Sequence, residues 1–542
     1  MTAPPVAVSP RAAPPCAAPP LATVAVRFAA EGPPVAALWW RALLRAVLVP
    51  LPVLAPLIAL APSRDHRFNV YWHGGLFRDD TLGIVPHTMA SLPGYLRMGN
   101  FRLFGRMLEK LLDLVAYGLG DVLGLPVNVA FRLVSFVAAV LLCVTAVLLA
   151  ESVVAPGRLL SRPPSTLAAA VPFGVAAGFV AAGGGSPVVL FGGLYFCSAA
   201  LVLTVVALLS RIGLDARLRP WAVLPLVAAG GALAAVNELA YFALPLATVA
   251  LAARGRLVLG ASWRRVLTAA PARALAAMWL GFLPVFLAVR LIIASYCAAG
   301  RCYKGSDIRF GPDTPEALPV RLIAWLPPLT WRSAAHGNGW LSGVVLAGAL
   351  LVLGVLAWHA IRDLPRLSEV PRRSAVAVVL AAGGLIAFGA VIGALNADVQ
   401  LMVAAGRWGQ GWRDFAVTTT AGGVLLAAAP FAVRGRRWVP VTLIVVLALT
   451  ATVSATANKR YRDRTMATPT AILADRLSAE MTDFDNTPAG DARRCALRAD
   501  FRALHAATPY SMNRFDESLD AAARQRAGVR FCAGVTGRGT GR

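Results

Sequence analysis

Apolar runs of about 20 residues, parted by short arginine-bearing loops, recur from residue 42 almost to residue 457. A helix rises 1.5 Å per residue, so a run of that length crosses the roughly 30 Å hydrocarbon core of a bilayer. Lipid offers the backbone no hydrogen-bonding partner, so each run must satisfy its own N–H and C=O groups, and a helix does so. The pattern predicts an all-α polytopic membrane protein with about 11 transmembrane helices. Composition agrees: of 542 residues, 58% are hydrophobic and 15% charged, against roughly 25% charged in soluble proteins.

The expected spans begin with residues 42–61 and 131–154. They continue through 166–182, a segment ending near 210, 221–236, one ending near 253, 274–295, one ending near 359, 374–395, one ending near 433, and 438–457. The net charge of +25 would suggest nucleic acid in a soluble chain. Here the arginines sit in short loops: Arg158 and Arg162; Arg211, Arg217 and Arg219; Arg254, Arg256, Arg264, Arg265 and Arg273; Arg362, Arg366, Arg372 and Arg373; Arg434, Arg436 and Arg437. That is the pattern of loops held on the cytoplasmic side by positive charge, so membrane lipid is the expected partner and nucleic acid is not. With a cytoplasmic N-terminus, every one of these loops falls inside.

Residues 1–34 are rich in Pro and Ala without a helical period and predict a disordered cytoplasmic tail. The first apolar segment starts too late for a signal peptide and is expected to stay as an anchor. Residues 35–457 form the transmembrane domain, with a first outer loop over 63–126. Residues 458–542 predict a small extracytoplasmic helical domain: Thr468-Pro469 reads as a helix start, and Leu473, Leu477, Met481, Leu497, Phe501, Phe515 and Leu519 mark three apolar faces. Four of the seven cysteines fall on the side expected to be outside, where disulfides persist. The expected pairs are Cys495–Cys532 and Cys297–Cys302.

The first outer loop concentrates the chemistry. It holds His66, His73 and His87, the adjacent carboxylates Asp79 and Asp80, and Arg64, Arg67, Arg78, Arg97, Arg102 and Arg106. Paired carboxylates outside the membrane are able to take a proton from a hydroxyl or hold a divalent cation; the plain alternative is a solvated turn. Guanidinium groups grip phosphate oxygens bidentately; the plain alternative is headgroup contact. Leu108, Leu111, Leu112, Val115 and Leu119 recur at helical spacing over residues 103–119, with Arg106, Glu109, Lys110 and Asp113 between them. That predicts an amphipathic helix lying in the membrane interface. Glu238, at an expected outer turn, is a candidate second acid. No Walker A motif and no zinc-ligand spacing occur.

Phe77-Arg78-Asp79-Asp80, then Gly99-Asn100-Phe101-Arg102-Leu103-Phe104-Gly105-Arg106, the amphipathic run, and Phe131-Arg132-Leu133-Val134 follow in an order that resembles the bacterial GT-C membrane glycosyltransferases. The resemblance covers residues 42–154 at motif level; the proline usual in the second stretch is missing. It implies a transferase that moves a sugar from a polyprenyl-phosphate donor to an extracytoplasmic acceptor (a cell-envelope glycan, lipid or protein) with inversion. It implies Asp79 or Asp80 as catalytic base, with Arg78, Arg97, Arg102 and Arg106 on the donor phosphate. Relatives differ in using a divalent cation, so the cofactor stays unknown. Two other readings stand beside this one: a lipid or solute transporter or flippase, and a non-catalytic membrane protein whose outer domain binds a partner.

Overall fold

In the computed structural model, residues 34–62, 66–298, 300, 308–335, 343–433, 438–505 and 509–535 are described. Among these residues every regular element is a helix. Among the described residues nine helices are long and apolar enough to cross a membrane. In chain order, the helices that matter below are α1 (Val35–Leu57), α2 (His66–Phe77), α3 (Ile84–Arg97), α4 (Leu103–Leu123), α5 (Val127–Val154), α6 (Leu167–Ala177), α7 (Phe191–Arg211), α8 (Pro220–Ala234), α9 (Ala240–Val258) and α10 (Ala270–Ala298). After these come α11 (Asp313–Ile323), α12 (Pro327–Ala335), α13 (Gly343–Arg366), α14 (Arg372–Ala394), α15 (Ala397–Ala404), α16 (Phe415–Val433), α17 (Val439–Met466), α18 (Pro469–Thr482), α19 (Pro488–His505) and α20 (Pro509–Ala527).

The nine spans are α1, α5, α7, α9, α10, α13, α14, α16 and α17. The third and fifth apolar runs, counted among eleven spans from the sequence, become the shorter helices α6 and α8. The cause at α6 is local. The chain leaves the helix at Gly178 and runs irregularly to Leu190 through Gly183, whose φ of 94° suits glycine. Irregular backbone at membrane depth persists only where protein satisfies it, and here the bundle does. Asn458 on α17 donates to Val53 O and Phe179 O and accepts from Ala181 N. Ser454 donates to Ala177 O. Arg132 on α5, fully buried, donates to Val188 O and Val189 O and to Leu60 O and Ala61 O.

Helices α8 and α10 meet backbone to backbone. A side chain on Gly230 would strike Met278 O, and one on Gly281 would strike Val227 O, the small-residue contact that membrane helices use for close approach. At one end of the bundle lie the arginine-bearing loops. There Arg41 and Arg45 hold Asp363, Trp39 donates to Arg162 O, Arg254 donates to Ala155 O, and Arg265 pairs with Asp215. The expected loop arginines Arg434, Arg436 and Arg437 lie outside the described residues, as do residues 1–33, Arg64, Cys302 and His336.

The C-terminal helices begin as the sequence indicates: Thr468 Oγ1 accepts from Ala471 N ahead of Pro469. Leu473, Leu477, Met481, Leu497, Phe501, Phe515 and Leu519 are buried together with Phe68 and Tyr71 of α2, Tyr117 of α4 and Phe131 of α5. Phe68 meets Phe501 and Phe515 edge-on, with centroids 5.4 and 6.0 Å apart. Cys495 and Cys532 are bonded to each other. Cys297 is also disulfide-bonded, and its expected partner Cys302 is among the residues not described.

Candidate functional site

Helix α4 is amphipathic, with its polar face turned inward. Glu109, Lys110 and Asp113 are buried, while Phe104, Leu111, Val115 and Val122 are exposed on the opposite face. Arg106, Glu109, Lys110 and Asp113 recur at three- and four-residue steps, which stacks them along one side of a helix. That side lies against α2, which brings Asn69, Trp72 and His73. The polar face of α4 is therefore a wall of protein, and its leucines and valines are the surface a bilayer would cover.

The start of α4 is pinned by backbone. Phe104 N donates to Ala235 O and Gly105 N to Val236 O, both at 3.0 Å. A Cβ on Gly105 would strike Val236 O, so glycine permits the approach. This docking sets Arg102 against Glu238: Nε and Nη2 both donate to Oε1, at 3.1 and 2.7 Å. Arg413 stands 3.9 Å from the same oxygen. Burial would raise the Glu238 carboxyl, but Arg102 and then Arg413 overcome it and hold the group at about 2.

Behind Arg102 is a cavity of about 240 Å³ lined by Asn69, Trp72, His73, Tyr95, Asn100, Arg102, Arg106, Glu109, Lys110 and Arg514, among others. Arg106 donates to Glu109 at 2.7 Å and lies over the Tyr95 ring at 4.5 Å. Asn69 donates to the other Glu109 oxygen at 3.0 Å. Arg514, from α20, donates to Asn69 Oδ1 at 2.8 Å and stacks on Trp72 at 3.6 Å. Burial would raise Glu109; Arg106 beside it keeps the group at about 2. Burial lowers Lys110 to about 8, with Glu109 opposing part of that effect. His73 Nδ1 and Asp113 Oδ2 are 2.7 Å apart. Burial lowers His73 to about 3 and, with Glu109 adding to it, raises Asp113 well above the usual carboxylate range. The two therefore form an uncharged pair. Even with Glu238 counted beside Glu109, the four lining cations outnumber the ionised carboxylates two to one. That excess of positive charge suits an anion.

On the other side of the Arg102–Glu238 pair is a second cavity, about 210 Å³, lined by Glu238, Tyr241, Phe286, Arg290, Ile392, Leu395, Trp412 and Arg413 among others. It is largely apolar. Arg290 donates to Tyr241 OH at 3.1 Å. On the same helix, α10, Leu287 and Leu291 are 53% and 71% exposed, an apolar face of the kind a bilayer covers favourably.

The structure brings together three of the residues expected from the sequence, Arg102, Arg106 and Glu238. The others lie apart. Asp79 and Asp80 are exposed in the turn after α2, where Asp80 accepts from Gly83 N at 3.0 Å. Neither lines the cavities described here. Arg78 pairs with Asp121 at 3.1 Å near the surface, and Arg97 is exposed. Sequence reasoning missed Glu109, Lys110 and Asp113 as site residues, having read them as the wet face of an interfacial helix. It also missed Arg413 and Arg514, which no local spacing marks. Among the described residues no cluster of His, Cys, Asp and Glu suits a metal ion.

Lys110 gives the cavity a pH signature. The ammonium is present below about pH 8 and lost above it, so affinity for a phosphate ligand should fall several-fold between pH 7 and 9. Stability should move the other way. The folded-state value lies below the ordinary lysine value of 10.5, so between about 8 and 10.5 the unfolded chain binds more protons and stability rises with pH. Lys110→Met should remove both trends, read by ligand titration and thermal unfolding across that range.

The arrangement belongs to a polytopic helical membrane protein whose basic loops and paired cavities occupy opposite ends. Comparison of the chain with protein-family models, curated proteins and solved structures finds no match.

Proposed function

We propose that the protein is a membrane glycosyltransferase of the GT-C type, moving a sugar from a polyprenyl phosphate to an extracytoplasmic acceptor with inversion. The observation that carries the reading is the pair of adjoining cavities. One is apolar and flanked by the exposed face of α10; the other is polar and cationic; Arg102, Glu238 and Arg413 stand between them. A lipid-linked phosphosugar has the same layout: an apolar chain, an anion, then a polar ring. The basic loops at the far end favour a cytoplasmic location for that end, and the Cys495–Cys532 bond favours an oxidising compartment for this one.

The donor phosphate rests against Arg102, Arg106 and Lys110. The acceptor hydroxyl attacks the anomeric carbon. A new carbon–oxygen bond forms there as the bond from that carbon to the phosphate oxygen breaks, and the electron pair leaves with the polyprenyl phosphate. The arginines stabilise the charge that develops on the leaving group. The hydroxyl proton goes to Nε2 of His73, in the tautomer whose Nδ1–H donates to Asp113 Oδ2. An arriving phosphate raises the basicity of that imidazole. On this reading the base is the ring that lines the cavity rather than a carboxylate of the exposed Asp79–Asp80 turn.

The test is release of polyprenyl phosphate from a panel of polyprenyl-phosphate sugars offered with membrane-extracted acceptors. His73→Gln and Asp113→Asn should each lower turnover about 100-fold while donor binding persists, and Asp79→Asn and Asp80→Asn should stay within a few-fold of wild type. Loss of turnover in Asp80→Asn with retention in His73→Gln would return the base to the turn. The irregular stretch after α6 is the one feature that favours transport, since broken helices line transporter sites. Its carbonyls, however, are engaged by Arg132, Asn458, Ser454 and Gly411 N rather than turned toward a solute.

A further inference from the structure

The largest cavity described, about 690 Å³, lies across the loop that carries Arg413. Residues 406–410 line it, whereas Trp412 and Arg413 line the apolar donor cavity. Its walls bring together Arg332 of α12, Arg407 of the loop and Arg464 of α17, with Trp408 and Tyr461 between them. No carboxylate lines it, and none of these three arginines pairs with one among the described residues. Elsewhere in the protein, Arg45, Arg102, Arg106 and Arg321 each hold an acid.

The loop that forms the floor is fixed. Arg321 grips both Asp414 oxygens at 2.6 Å and donates to Gln410 O at 3.1 Å. Gly411 N donates to Ala182 O at 2.6 Å. The three arginines are exposed around one space without an acid, and an occupant with several anionic oxygens would take hydrogen bonds from more than one guanidinium. Trp408, half-exposed, offers a flat face of the kind on which the C–H face of a sugar ring packs. The volume is about three times that of either donor cavity, enough for more than one sugar ring.

We infer that this cavity binds an anionic saccharide, one bearing carboxylate or phosphate groups, and that it is the acceptor side of the transfer. The acceptor role rests on the glycosyltransferase reading; the ligand class rests on the cavity itself. The test is calorimetric titration of the full chain in neutral detergent with an oligogalacturonate and with its fully methyl-esterified, uncharged counterpart. Arg407→Gln/Arg464→Gln and Arg332→Gln are measured beside wild type. The charged saccharide should bind at least tenfold tighter than the ester, and the double variant should lose that tenfold preference. The preference should also weaken as salt is raised. Equal binding of the two saccharides, no binding of either, or variants that bind as wild type does would overturn the inference. So would displacement of the oligogalacturonate by phosphatidylglycerol in nanodiscs, which would make the cavity a lipid-headgroup site. Thermal stabilisation by polyprenyl phosphate, run on the same samples, separates the two claims. Arginine-dependent saccharide binding without a polyprenyl-phosphate effect removes the transferase and keeps the saccharide site. The reverse result keeps the transferase and removes this cavity from it.

Discussion

Arg102→Gln is expected to abolish turnover and to lower stability by about 3 kcal/mol, while Arg102→Gln/Glu238→Gln should recover most of the stability and none of the turnover. Arg102 is 3% exposed and gives two donors to one oxygen of Glu238. Without it, Glu238 keeps Arg413, at 3.9 Å, and the weaker influence of Arg290. The figure is taken at the low end because the Glu238 side chain is 22% exposed and water reaches part of it. Replacing both partners leaves two neutral amides, which avoids the stranded charge. On the proposed reading turnover should not return, because the leaving phosphate has lost one of its guanidinium partners. pH provides an internal check. In wild type the folded-state Glu238 value of about 2 lies below the ordinary glutamate value of 4.5, so the pair's stabilisation is present above about 4.5 and lost as pH falls toward 2. In Arg102→Gln burial has less opposing it, the value rises, and the variant's deficit should shrink as pH falls through 5. Thermal unfolding at several pH values reads both outcomes.

Arg132→Met should prevent accumulation of folded protein. The side chain is 0% exposed and donates to Leu60 O, Val188 O and Val189 O at 2.9 to 3.1 Å, and more weakly to Ala61 O at 3.4 Å. Each stranded carbonyl costs about 1–3 kcal/mol, and water cannot reach them. Their sum approaches the whole stability of an ordinary domain, about 5–15 kcal/mol. Arg132→Lys should rescue only in part, because an ammonium is a point and cannot span two strands of backbone as a planar fork does. Fluorescence-detected size exclusion after detergent extraction distinguishes the variants. A monodisperse Arg132→Met peak at wild-type yield would show that the irregular stretch after α6 does not depend on this residue. Arg78→Gln is a control of small expected effect: its partner Asp121 is partly exposed, at 3.1 Å, and an exposed pair is worth about 0–1 kcal/mol.

The apolar runs were legible because span length is set by the bilayer rather than by tertiary contacts. One of them shortened, at α6, where the chain's own Gly and the carbonyl-binding side chains of Arg132 and Asn458 decide where helix stops; the run at α8 is short in the sequence already. Nothing in a hydropathy pattern reports those long-range donors. The Cys495–Cys532 bond was legible because both cysteines lie in the tail. Helix α4 was legible as an amphipathic helix, but periodicity gives two faces and not what covers each. Glu109, Lys110 and Asp113 were therefore assigned to water when they face His73 and Asn69. Asp79 and Asp80 stood out because adjacent acids are conspicuous in so apolar a chain; Asp80 proves to cap a turn. Arg102 and Glu238 were each singled out, yet only the docking of Gly105 on Val236 O joins them.

Lipid mass spectrometry on the protein extracted in mild detergent, wild type beside Arg102→Gln/Glu238→Gln, tests the central claim most directly. A polyprenyl phosphate, free or carrying a sugar, should accompany the wild type and be lost from the double variant, and the sugar would name the donor. Wild type without any polyprenyl phosphate, or a double variant that retains as much of it, would contradict the assignment of the paired cavities to a lipid-linked donor.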